Sequence, residues 1–393
     1  MDIKAILSIL IFILTYFFIA IEKTPKVYVA LSGVLLLILF KVYEFEEIHN
    51  YIDWDTISFL FGIFLIVKVT EISGFFNYLS IKIIKKLNYD IVKIFLFFPL
   101  LAWFLSGFVD SITVLTFLSP LTYTLCRILK MDSIPLIIAE VCLANIGGAG
   151  TLMGDPPNVI LGSMFKLGFT DFFIHNYLLS LISGIGAIFV FYKMNEKYIF
   201  KVKEKIDKKA LEMIVPEEAI EDKILLKHGV FGLISVVVLL IFRDFIKKFF
   251  PLSIGICSLL PSIVILSLKG SHNKLKNILR EIDIETLLFF VSLFVIVGSL
   301  EKTEVIKKFS FKMKDFSQNG LKMNFVLFWF SAITSAFIDN VPEAMSIGYL
   351  IRHISKFVPY RFTYLIWSAS LGLDMGGNFT PIGASANVVA YGF

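Results

Sequence analysis

Two stretches of this chain carry one glycine-rich pattern at a fixed distance. "NIGGAGTLMGDPPNV" (residues 145–159) aligns with "DMGGNFTPIGASANV" (374–388) at an offset of 229. Gly147, Gly148, Thr151, Gly154, Asn158 and Val159 each recur. "SGFVDSITV" (106–114) and "SAFIDNVPE" (335–343) keep the same offset and set Asp110 over Asp339, while "WDTISF" (54–59) and "IETLLF" (284–289) lie 230 apart. Separate motifs do not hold one spacing over such a distance by accident. The chain is an internal duplication, and each copy must build the same unit.

The setting of these motifs is apolar. Hydrophobic residues make up 57% of the chain and charged ones 18%, and the mean hydropathy is +0.82. That places the sequence in the membrane class, where a helical crossing needs about 20 mostly apolar residues. Runs of this kind are expected near 4–21, 26–42, 56–73, 173–194, 228–245, 252–268 and 285–300. The first has Asp2 and Lys4 where a signal peptide has a basic start, so it is read as a retained helix. Two close pairs, 93–109 with 112–126 and 323–338 with 342–357, have connections too short for full crossings and are read as re-entrant hairpins. Runs from Pro135 and from 360 meet the glycine motifs and break there. Residues 195–227 form the one long polar segment.

The expected fold class is therefore an all-α polytopic membrane protein with two repeats, each holding five crossings, a re-entrant hairpin and a broken helix. Five is odd, so the second copy is inverted. The first repeat spans 1–194, a linker 195–227 and the second repeat 228–393. The counterpart of 173–194 would fall near 402–423, so the second repeat is expected to lack its last helix in this chain. Lys23, Lys26, Lys82, Lys85, Lys86, Lys93, Arg127 and Lys130 would share one side, against Lys4, Lys41 and Lys166 on the other. By the positive-inside rule the linker is cytoplasmic. The lysine-rich stretch 301–322 gives the second half a weaker bias.

A helix can break inside a bilayer only where protein or a watery cavity satisfies its freed backbone. Gly147, Gly148, Gly376 and Gly377 permit close approach, and Pro156 and Pro157 forbid an unbroken helical ladder. Matching breaks in two halves are read as a substrate site, with a proline kink used for packing as the alternative. Carboxylates stand at the same places: Asp110 and Asp339 at the hairpin tips, Asp155 and Asp374 at the breaks. Each costs about 2.5–3.5 kcal/mol at mid-bilayer, which implies a wet cavity, a bound cation or a proton-carrying role. Asp110 and Asp339 also suit helix N-caps, and capping does not exclude ion binding. Ser111, Thr113, Asn145, Thr151, Asn158, Asn340, Asn378, Thr380, Ser385 and Asn387 would add neutral ligands. Glu140, one turn before the first break, is a candidate proton carrier, and Glu343 follows the second tip. Lys68 and Glu71 are expected to neutralise each other. Cys126, Cys142 and Cys257 are read as buried small side chains, and no zinc or nucleotide spacing is present.

These motifs, with "FVDSIT", resemble signatures of the ion transporter superfamily, in particular the ArsB/NhaD-type permeases and the related CitM-like citrate and anion carriers. The resemblance implies inverted repeats, an elevator-like transport domain and a scaffold that often dimerises. In carboxylate-carrying relatives the tips bear Ser-Asn-Thr; here they read Asp110-Ser111-Ile112-Thr113 and Asp339-Asn340-Val341-Pro342. Acidic tips look more like the arsenite-permease and sodium/proton-antiporter branches. The expectation is a secondary active transporter of the cytoplasmic membrane, not an enzyme, carrying out Na⁺/H⁺ exchange or moving a small anion or oxyanion. A cation-coupled citrate or carboxylate carrier is the alternative, and a passive channel a more distant one. Na⁺ or H⁺ would be the coupling ion, with Na⁺ at Asp110 and Asp339. No cofactor or nucleic acid is expected; the partners are the substrate ion, the lipid bilayer and a second copy in a homodimer.

Overall fold

In the computed structural model, residues 2–21, 23–88, 90–129, 131–203, 216–313, 318–358, 360–381 and 383–391 are described. They are helical, with no strand among them. The centre of the polar linker (204–215), Lys130 and the last two residues lie outside that set.

The helices follow the apolar runs. They are α1 Ile3–Ile21, α2 Lys26–Leu39, α3 Trp54–Ile72, α4 Phe75–Lys86, α5 Ile91–Ser106, α6 Ser111–Ile128, α7 Ile134–Gly148, α8 Pro156–Phe165 and α9 Leu178–Lys203. The second half continues with α10 Lys223–Ile246, α11 Ile254–Ser267, α12 Ile284–Lys302, α13 Val305–Lys312, α14 Gly320–Ser335, α15 Asn340–Ile354, α16 Thr363–Gly376 and α17 Ser385–Tyr391. Among the described residues four helical stretches are long and apolar enough to cross a membrane: α1, Phe169–Lys201, Lys223–Arg243 and α12. The α3–α4 pair, bent by 57°, passes the same test when taken together, as a broken span or a re-entrant loop. The chain is thus a multi-pass membrane protein.

Two short helices, α4 and α13, occupy equivalent places after α3 and α12 and were not expected from hydropathy. Each starts from a left-handed residue, Gly74 (φ 78°) and Glu304 (φ 57°). The backbone turns sharply there and begins a new, lysine-bearing helix. Glycine is the usual occupant of that conformation, so Glu304 carries a modest strain.

The described chain forms two compact units that do not follow its order. One comprises Met1–Leu60, Pro156–Leu167 and Asp283–Ala384; the other comprises Phe61–Asp155, Gly168–Ile282 and Ser385–Phe393. Each unit therefore holds one hairpin, the first half of one broken helix and the second half of the other. The unit with hairpin α5–α6 and helix α7 takes in α17. The unit with hairpin α14–α15 and helix α16 takes in α8.

The breaks have local causes. Pro156 and Pro157 open α8, where the first amides have no helical acceptor and their loss costs little. Gly147 and Gly376 sit where a Cβ would strike the Trp103 and Ala332 carbonyl oxygens respectively. Helix pairs α5–α7 and α14–α16 thereby approach backbone to backbone, the small-residue packing on which helices rely in lipid.

Candidate functional site

Each unit assembles one group of the residues singled out by sequence. Asp110, Ser111, Thr113, Asn145, Gly147, Gly148, Thr151, Asp155, Ser385 and Asn387 belong to the α5–α6–α7–α17 unit. Asn158, Asp339, Asn340, Asp374, Gly376, Gly377, Asn378 and Thr380 belong to the α14–α15–α16–α8 unit.

The scaffolds of the two groups share one wiring. The Thr151 hydroxyl donates to the Gly107 carbonyl, and the Thr380 hydroxyl donates to the Ala336 carbonyl at the equivalent register. A Cβ on Gly154 would lie 2.7 Å from the Ser106 carbonyl oxygen, and one on Gly383 would lie 3.1 Å from that of Ser335. In both units the break is pinned against the end of the hairpin's first helix. These bonds satisfy carbonyls that the helix end leaves open.

The charged groups around that scaffold differ. In the first hairpin Asp110 caps α6, accepting from the Thr113 amide at 2.9 Å and the Thr113 hydroxyl at 2.7 Å. Ser111 donates to Asp155 at 3.0 Å, which joins the tip to the break. Asp110 and Asp155 are each 6% exposed. The amide of Asn145, at the end of α7, donates to Asn387 on α17 at 2.9 Å. Deeper in this unit Glu140 is fully buried and accepts from the Thr122 hydroxyl at 2.5 Å. Its second oxygen has no donor among the described residues.

In the second hairpin Asp339 caps α15, accepting from the Val341 amide at 3.3 Å. Lys26 Nζ lies 3.7 Å from its Oδ2. Ser335 donates to Asn340 at 2.5 Å and makes a 2.6 Å contact with the Leu373 carbonyl. Glu343, one turn into α15, accepts from the Thr334 hydroxyl. Asp374 is fully buried in α16. Asn158 on α8 accepts from Ser370 at 2.6 Å. Asn378 and Ser385 are half-buried.

Sequence reasoning did not reach Lys26, Thr122, Thr334 or Ser370 as site groups. Lys26 was placed among the basic loop residues; it stands instead at the start of α2, with its ammonium directed to Asp339. The expected Lys68–Glu71 pair is present at 2.8 Å, and Lys68 also reaches Glu281 at 3.6 Å. Beside it a cavity of about 660 Å³ runs along α6, lined in part by Glu71, Asn77, Thr116, Thr124, Glu221 and Glu281.

Duplicated hairpins and breaks, buried carboxylates and hydroxyl partners describe an ion-handling membrane protein. Comparison with known families sharpens this: a model described as citrate transporter matches residues 16–372. The chain belongs to the citrate transporter family. A "46 kDa membrane protein" of Mycobacterium leprae is 31% identical over 98% of this chain and 90% of its own length. An "uncharacterized transporter" of Mycobacterium tuberculosis is also 31% identical, over 99% of this chain and 90% of its own. The human "P protein" is 27% identical over 88% of this chain and 50% of its own length. Like its family, the chain is a membrane transporter.

Proposed function

We propose that the chain is a cation-coupled secondary active carrier of a small anion, working by alternating access, with Na⁺ or H⁺ as the coupling ion. The observation that carries this reading is the repeated tip-and-break geometry with an aspartate at each hairpin tip. Asp110, Glu140 and Glu343 are held by hydroxyl and backbone donors, with no basic side chain paired to them among the described residues. Ionised carboxylates held in this way repel a bare polyanion. A cation bound first reverses that repulsion, and freed amides at the broken helices then have an anion to meet. The family match favours a carboxylate such as citrate as cargo.

The acidic tips favour a second reading, Na⁺/H⁺ exchange of the ArsB/NhaD kind, because exchange needs only carboxylates that alternate between a metal cation and a proton. Both readings share inverted repeats, placement in the cytoplasmic membrane, a homodimeric scaffold and no cofactor.

Proteoliposomes holding the purified chain separate the two. Imposed sodium or proton gradients should drive labelled citrate, or another member of a carboxylate and oxyanion panel, to accumulate above its outside concentration. Sodium-driven proton flux without any anion would instead select exchange. Cargo that only equilibrates, whatever the gradient, would show a passive channel and refute both readings.

A further inference from the structure

The hairpin tips are equivalent in sequence but their aspartates are satisfied differently. Thr113 gives Asp110 both an amide and a hydroxyl donor. Its equivalent in the second tip is Pro342, which has neither. At that tip the Lys26 ammonium lies 3.7 Å from Asp339 Oδ2 and 4.8 Å from the centre of the Phe289 ring. The Asp339 side chain is 13% exposed and that of Lys26 37%. At the corresponding start of α11 the chain reads Ser253-Ile254-Gly255-Ile256, with no basic residue, and no basic side chain pairs with Asp110 among the described residues. The Tyr16 phenol lies within electrostatic reach of both Asp339 and Glu343. The fourth position of the tip thus lost its donors where a cation was gained.

We propose that the Lys26 ammonium is a tethered cation that occupies the Asp339 tip in place of a transported one, leaving the Asp110 tip as the cation site. The proposal rests on the cation-coupled reading above and specifies which half-site does the coupling. An ammonium and a sodium ion compete for the same carboxylate oxygens. The lysine is covalently held beside them and so acts at a high effective concentration. The Phe289 ring face adds attraction for the ammonium without offering a ligand to sodium that would replace its lost water.

The test is equilibrium binding of radiolabelled sodium to the purified full chain. Lys26→Gln and Lys26→Met should each raise saturating sodium about twofold, as one site becomes two. Adding Asp339→Asn should remove the gain, and Lys26→Arg should behave as wild type. Asp110→Asn should abolish wild-type sodium binding; binding that survives it overturns the proposal, and this arm decides even if the Lys26 variants fail to fold. If wild type binds sodium and well-folded Lys26 variants bind no more, the tether is wrong while the coupling reading stands. If wild type binds none but the Lys26 variants do, through Asp339, sodium coupling at Asp110 is wrong while the tether stands.

Discussion

Set side by side, the two units agree in backbone and disagree in charge. Both pin the break to the hairpin with a threonine hydroxyl on a carbonyl, and both use glycine where one backbone meets another. Both cap the hairpin's second helix with aspartate. Beyond that the carboxylates occupy different places. Glu140 and Asp155 align in sequence with Ala369 and Ala384, while Glu343 and Asp374 align with Val114 and Asn145. The geometry of a broken helix tolerates few alternatives, so the duplication has kept it. The chemistry at its edge is free to change: the carboxylates stand at different positions, and a lysine lies beside Asp339.

The largest effect should come from the shared backbone. Gly147→Val and Gly376→Val each press a branched side chain against a carbonyl that cannot move aside, which costs about 1–3 kcal/mol or more in a packed core. Thermal melting in detergent should fall comparably for both. A large drop for one and none for the other would show that the two breaks are not built alike.

Next come the hydroxyls that serve the deep carboxyls. Thr122→Val removes the donor to Glu140, and Thr334→Val the donor to Glu343. Each leaves a buried oxygen unsatisfied, at about 1–3 kcal/mol. Restoring a hydroxyl with serine should recover part of the loss. A silent Thr334→Val beside a destabilising Thr122→Val would mean that the second carboxyl finds water.

The smallest effect lies outside both units' deep groups. Asp222 caps α10 and accepts from the Lys274 ammonium at 2.9 Å, which holds its carboxyl below the usual range. A depressed folded value adds stability above the unfolded pKa of about 4, and that stability disappears as pH falls through the folded value. Wild type should therefore melt slightly above Lys274→Gln at neutral pH, and the difference should close on acidification. A gap that persists in acid would assign the effect to packing.

Much of the fold was legible because lipid leaves few choices. Long apolar runs became α1, α3, α10 and α12, and the two close pairs became α5–α6 and α14–α15. The amphipathic α4 and α13 were missed, since a short helix bearing Lys82, Lys85 and Lys86, or Lys307, Lys308 and Lys312, lowers the average that a hydropathy window reads. At the site, the 229-residue offset picked out both motifs and set Pro342 over Thr113. Nothing near Lys26 in the chain pointed to Asp339. That pair is made across more than three hundred residues of sequence, and only the fold brings it together.

The most direct measurement is sodium- or proton-driven transport by the intact chain in proteoliposomes, compared between Asp110→Asn and Asp339→Asn. The account predicts that Asp110→Asn lowers coupled flux by at least about tenfold, the equivalent of about 1.4 kcal/mol, while Asp339→Asn retains most of it. Equal activity of Asp110→Asn and wild type, at matched folding and reconstitution, would contradict the assignment of coupling to the hairpin tip.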